Sequence, residues 1–268
     1  MISMNKSLAI YICVLLKTIL NDDLRNMNPL MLDTTLMNQK AKPVIVALDF
    51  ANAETTLNFV RQLDPDLCQL KIGKELFTAT GRYLVEQLVL QGYRIFLDLK
   101  YHDIPNTVAS ACKVAADMGV WMVDMHASGG RRMMEAAAEA VSNCSQPPLL
   151  IAVTVLTSMT QNELAEIGIN SSIDETVIRL AELTRQSGLD GVVCSAQEAS
   201  LLRGQLGQDF LLVTPGIRLQ NSITDDQRRI MTPKAALVAG SSYLVMGRPV
   251  TQSQNPIELL QQINNGLI

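Results

Sequence analysis

Eight short apolar stretches recur after residue 43, each followed by text with helical periodicity, at intervals of roughly 25 residues. The strand candidates are 44–50, 68–73, 95–100, 122–127, 149–156, 191–195, 210–214 and 243–246. Helical patterns lie between them, at 83–90, 106–118, 131–141, 175–185 and 196–206 among others. Alternation of this kind demands parallel pairing, because the helix returns the chain to the same end of the sheet before the next strand begins. Eight such units predict an α/β fold: a closed (β/α)₈ TIM barrel, built as a single domain. An open doubly wound sheet would carry Gly-x-Gly-x-x-Gly after its first strand, and no such run stands there.

The bulk properties narrow the function. The net charge is −4, no Lys/Arg-rich run occurs, and the 5 Phe, 5 Tyr and 1 Trp are scattered. That pattern excludes a nucleic-acid partner, which needs a basic footprint or a stacking platform. The 5 cysteines are odd in number and form no Cys-x-x-Cys pair, so they read as reduced core thiols of a cytoplasmic protein. His102 and His126 are the only two histidines, too few for a His-built metal site or a Ser-His-Asp triad. No metal site is predicted, and catalysis falls to Lys, Asp and backbone groups.

Residues 1–40 read differently from the remainder and are expected to form a poorly ordered extension, or to lie upstream of a true start at Met27, Met31 or Met37. The barrel domain is assigned to 41–268. The apolar run 8–16 falls short of the roughly 20 residues needed to span a bilayer. Lys17-Thr-Ile-Leu-Asn-Asp-Asp follows it where a signal peptide would have a small-residue cleavage site. No membrane partner is expected.

In barrels of this class catalytic groups sit at the carboxyl ends of the strands. Here those ends read Asp49, Lys71, Asp98 with Lys100, His126, Thr157, Ser195, Pro215 and Gly247-Arg248. Gathering such charges at one rim costs desolvation energy unless they pair or serve a ligand. The densest stretch, 95–107, runs Ile-Phe-Leu-Asp-Leu-Lys-Tyr-His-Asp-Ile-Pro-Asn-Thr. Its period of two puts Phe96, Asp98 and Lys100 on one face and Ile95, Leu97 and Leu99 on the other. With Lys71 and Asp49 on neighbouring strands, an alternating Lys-Asp-Lys-Asp array results, suited to meet developing negative charge and then deliver a proton.

Asp103, Asn106 or Thr107 can cap the helix that Pro105 opens; this explains Asn106 and leaves Asp103 underused. Gly247 lets the backbone approach a ligand, and the Arg248 guanidinium suits a phosphate. The polar segment 216–229 reads as a lid, with Arg218 and Gln227 as candidate contacts. His126, alone at its strand end, reads as a packing residue.

Leu48-Asp49, Leu70-Lys71-Ile-Gly-Lys-Glu, Phe96-Leu-Asp-Leu-Lys-Tyr-His-Asp-Ile-Pro-Asn-Thr, His126-Ala-Ser-Gly-Gly, Val153-Thr-Val-Leu-Thr-Ser, Val213-Thr-Pro-Gly-Ile-Arg and Met246-Gly-Arg-Pro-Val follow one another in order. Together they resemble the orotidine 5′-phosphate decarboxylase family in its bacterial form. The resemblance runs from about Pro43 to Ile268 and implies decarboxylation of a nucleotide substrate, orotidine 5′-phosphate, to UMP in pyrimidine synthesis, with no cofactor. It further implies Lys100 as proton donor to C6 of the pyrimidine, Asp98 facing the substrate carboxylate, and Lys71 as their partner and a ribose contact. Asp49 would bind ribose hydroxyls and Thr157 the base, while Pro215, Arg218, Gln227, Gly247 and Arg248 would hold base or phosphate. A homodimer is implied in which Asp103 and Thr107 serve the partner's site. Leu219 stands where the family commonly has Pro, a departure that bears on lid stiffness.

Overall fold

The computed structural model describes residues 42–219, 231–266 and 268, all within one compact unit, Lys42–Ile268. The expected extension at 1–40 and the candidate contact Gln227 lie outside the described residues.

Among the described residues, the strands are β1 (Val44–Ala47), β2 (Gln69–Gly73), β3 (Ile95–Tyr101), β4 (Met122–His126), β5 (Leu149–Val153), β6 (Gly191–Val193), β7 (Leu211–Thr214) and β8 (Tyr243–Met246). They pair in parallel in chain order and β8 closes on β1, so the predicted TIM barrel is the observed one. Period-two alternation sorts its core into two layers. Ile45, Ala47, Phe96, Met122, Ile151, Val213 and Val245 pack inside the barrel. Their neighbours Val44, Val46, Ile95, Leu97, Val123 and Met125 face outward into the core shared with the helices. At about 25 cal/mol per Å² of apolar surface removed from water, these two layers are the main stabilising term. Trp121 and Tyr243 close the amino-terminal end of the barrel edge to face, 5.1 Å apart.

Three strands end earlier than the sequence pattern suggests, at Ala47, Val153 and Val193 instead of residues 50, 156 and 195. The apolar text continues because Leu48, Val155 and Cys194 are still buried, and the Leu48 and Cys194 N–H groups still donate to the Lys71 and Val213 carbonyls of the neighbouring strands at 3.0 and 3.1 Å. The helix Pro105–Asp117 begins after Ile104, with no side-chain cap. The capping reading of Asn106 therefore does not hold: Pro105 has no N–H to satisfy, and the Asp103 carboxylate instead accepts from the Ile104 N–H at 2.7 Å.

Candidate active site

The carboxyl ends of the strands surround a cavity of about 760 Å³. Its wall includes Asp49, Lys71, Asp98, Lys100, Thr157, Pro215, Arg218, Gly247 and Arg248, so nine residues proposed from sequence converge on one space. Thr157 reaches it from the loop four residues beyond β5, and Arg248 from the start of the short helix Arg248–Thr251 that follows β8. Apolar surface comes from Phe96, Val153, Val193 and Val245, which form the cavity floor where the barrel interior begins. Ile217 pairs with Met231, and the Arg218 N–H donates to the Met231 carbonyl at 3.0 Å. The start of the candidate lid segment is thereby tied to the chain at Met231.

Four charges run across the mouth. Lys71 Nζ lies 3.4 Å from Asp49 Oδ1 and 3.2 Å from Asp98 Oδ2, and Lys100 Nζ contacts Asp98 Oδ1 directly. Asp98 thus sits between two ammonium groups, and the side chains of Lys71 and Asp98 are only 10% and 11% exposed. Burial alone would raise the Asp98 carboxyl, but the Lys71 and Lys100 charges, with the Lys100 ammonium also donating a hydrogen bond, hold it well below the usual carboxylate range. Burial would likewise lower the Lys71 ammonium; Asp98 and Asp49 overcome it and raise the group. Both stay charged throughout the neutral range.

The sign of this arrangement fixes its pH window. Asp98, depressed in the fold, contributes stability present above an unfolded value near 3.9 and lost as pH falls through its folded value. Lys71, raised in the fold, contributes stability present below about 10.4 and lost as pH rises through its folded value.

A second cavity of about 250 Å³ reaches Asp49, Lys71, Asp98 and Lys100 from the side of β2, lined also by Leu48, Gly73, Lys74 and Glu75. Gly73 keeps this approach open, since a Cβ there would stand 3.2 Å from Lys71 Nζ. Asp103 and Thr107 are exposed and line neither cavity of their own chain. His126 also lies outside both. Burial, with added repulsion from His102, Lys100 and Lys74, pushes it down to about 4, and its ring sits 5.5 Å from that of His102.

One buried acid beside the array has no place in the sequence reading. Asp124, on β4, is wholly buried. Its Oδ1 accepts from the Lys100 backbone N–H at 2.8 Å, and its Oδ2 is 4.0 Å from Lys100 Nζ. The available signal was a lone acid within Met-Val-Asp-Met-His, on the inward parity of an apolar strand. Among the described residues, no helix is long and apolar enough to cross a membrane.

Comparison with known proteins places this geometry in context. A family model described as Orotidine 5′-phosphate decarboxylase / HUMPS family matches residues 42–263. The orotidine 5′-phosphate decarboxylase of Neisseria meningitidis serogroup C is 71% identical over 239 residues, covering 89% of this chain and 97% of the relative. That of Chromobacterium violaceum is 61% identical over 241 residues, with 90% and 97% coverage. Among solved structures, the orotidine 5′-phosphate decarboxylase of Lactobacillus acidophilus aligns with a TM-score of 0.75 and 39% identity, across 84% of this chain and 98% of that one.

Proposed function

The chain belongs to the orotidine 5′-phosphate decarboxylase / HUMPS family, and from that premise we propose that it converts orotidine 5′-phosphate to UMP and carbon dioxide, without metal or organic cofactor. The observation that carries this reading is the run Asp49–Lys71–Asp98–Lys100, preformed at the mouth of a nucleotide-sized cavity. Loss of carbon dioxide leaves carbanion character at C6 with no conjugated sink, so the barrier falls when a fixed cation lies beside that carbon in the transition state. Lys100 supplies the cation and then the proton. Lys71 and Asp98 hold it in place before substrate arrives, which removes reorganisation cost from the chemical step.

Asp49 binds ribose hydroxyls, Thr157 the base, and Pro215, Arg218, Gln227, Gly247 and Arg248 the base or phosphate. Phosphate binding far from C6 provides energy that orients the ring and closes the lid. The protein acts as a homodimer. Its second cavity admits the partner's Asp103 to the array, with the partner's Thr107 nearby. The openness of that cavity onto Lys71 and Lys100 supports this reading, as does the absence of Asp103 from its own site. The thiols of Cys68, Cys112 and Cys144 stand outside any disulfide, which suits a reducing cytoplasm.

A sugar-phosphate lyase of the same family would share the barrel and the Asp-x-Lys-x-x-Asp run but would need Mg²⁺. The two are separated by offering purified protein orotidine 5′-phosphate and, separately, a hexulose 6-phosphate with Mg²⁺. UMP formation from the first alone is expected; turnover of the sugar phosphate alone would overturn the proposal.

A further inference from the structure

The β3–β4 ladder is interrupted where the array is built. Leu97 pairs with Val123 and Tyr101 with Met125, so the three residues 98–100 of β3 stand opposite the single residue Asp124. Within this bulge Lys100 adopts φ +52°, the left-handed region, and it is the one non-glycine residue among those described to do so. That conformation costs about 1–2 kcal/mol for an L-residue, and the bulge removes the β4 carbonyl that the Lys100 N–H would otherwise meet. The Asp124 carboxyl fills the vacancy at 2.8 Å.

Resting on the decarboxylase reading above, we infer that Asp124 is a positioning residue: its carboxyl holds the Lys100 backbone in the left-handed turn that brings the Lys100 ammonium against Asp98. Asp124 lines neither cavity and so acts through Lys100. Its Oδ2 is fully buried with no hydrogen-bond partner in the structure, and the groups around it are Asp98, the Lys100 ammonium at 4.0 Å, Tyr101 and Cys112. A proton on Oδ2, donated toward Asp98, satisfies both acids at once. Burial, reinforced by Asp98, raises Asp124 well above the ordinary carboxylate range in keeping with this. What the site needs from position 124 is therefore an acceptor for the Lys100 N–H and no net charge.

Asp124→Asn, Asp124→Ala and Asp124→Leu test this by steady-state decarboxylation, with circular dichroism to establish folding. Asn preserves the acceptor, and kcat within about three-fold of wild type with a superimposable kcat–pH profile is expected. Ala and Leu remove it, and kcat should fall at least about 100-fold while KM stays within about three-fold, because Lys100 is misplaced and the binding surface is untouched. A folded Ala or Leu variant with near-wild-type kcat overturns the inference, as does a rise in KM at constant kcat. Should neither apolar variant fold, the Asn profile decides: an alkaline limb moved to lower pH means that position 124 carried a charge, against the inference. A crystal structure of Asp124→Ala reads the Lys100 turn independently of turnover, with Lys100 expected to leave the left-handed region. An inactive wild-type protein removes the decarboxylase reading, whereas an active one with an indifferent Asp124→Leu removes only this inference.

Discussion

Lys71→Met is the sharpest probe of the charge array, because it deletes one ammonium while keeping most of the side-chain volume. At 3.2 Å from Asp98, Lys71 contributes about 5 kcal/mol of attraction at an effective dielectric near 20. The attraction to Asp49 at 3.4 Å is nominally similar, but the Asp49 side chain is 67% exposed, and water screens most of it. Against these stands the desolvation of Lys71, which the Met variant no longer incurs. The net cost is set by Asp98, left buried with Lys100 and Asp124 as its remaining partners. Breaking one side of a buried pair costs about 3–5 kcal/mol, and the surviving Lys100 contact puts the expectation at the lower end, about 3 kcal/mol at pH 7. In the wild type, Asp98 is held below the usual carboxylate range, so it stays ionised as pH falls toward 4. In Lys71→Met its folded value rises, Asp98 takes up a proton sooner, and the stability gap narrows by up to about 1.4 kcal/mol per pH unit in the acid range. Urea denaturation at a series of pH values measures this directly. A gap below about 1 kcal/mol at pH 7, or one that widens on acidification, would refute the assignment of Lys71 as the partner that keeps Asp98 charged.

Gly191→Ala should destabilise the barrel severely, because a Cβ at the start of β6 would fall on the Leu211 carbonyl of the paired strand and sit 2.9 Å from its carbon; about 3 kcal/mol or more, a fall of roughly 6–12 °C in thermal midpoint, is expected in a melting experiment. Arg203→Leu should lower the midpoint as well, since the guanidinium donates to the carbonyls of Gly240 at 2.8 Å and Phe210 at 2.6 Å and to Ser242 Oγ at 2.8 Å, and would leave them unpaired at about 1–3 kcal/mol each where buried. Mixing inactive Asp103→Ala with inactive Lys100→Ala should recover up to about a quarter of wild-type turnover, because each mixed dimer would hold one site with both native residues. No recovery from subunits shown to exchange would place Asp103 in its own chain's site.

The barrel and most of the site were legible because both depend on local regularities. Period-two alternation put Phe96, Asp98 and Lys100 on one face, and Phe96 indeed packs inside the barrel while Ile95 and Leu97 pack outside. Strand ends then brought Asp49, Lys71, Gly247 and Arg248 to one rim without any knowledge of packing. Features that depend on pairing between distant strands were not legible. Asp124 matters because β3 bulges opposite it, and nothing in the text of either strand announces the change in register. The early ends of β1, β5 and β6 escaped notice for a related reason: Leu48, Val155 and Cys194 are buried like ladder residues, and Leu48 and Cys194 still hydrogen-bond to the neighbouring strands, so the apolar signature runs past the strand ends.

In the proposed mechanism Lys100, fixed by its charged neighbours and needing no metal, lowers the barrier to loss of carbon dioxide. The most direct test is turnover of orotidine 5′-phosphate by the purified protein and by Lys100→Ala, each in the presence of EDTA. Full wild-type turnover is expected, with a loss of at least about 10⁴-fold in the variant, equivalent to more than about 5 kcal/mol of transition-state stabilisation. Wild-type turnover abolished by EDTA, or a folded Lys100→Ala that decarboxylates at the wild-type rate, would contradict this mechanism.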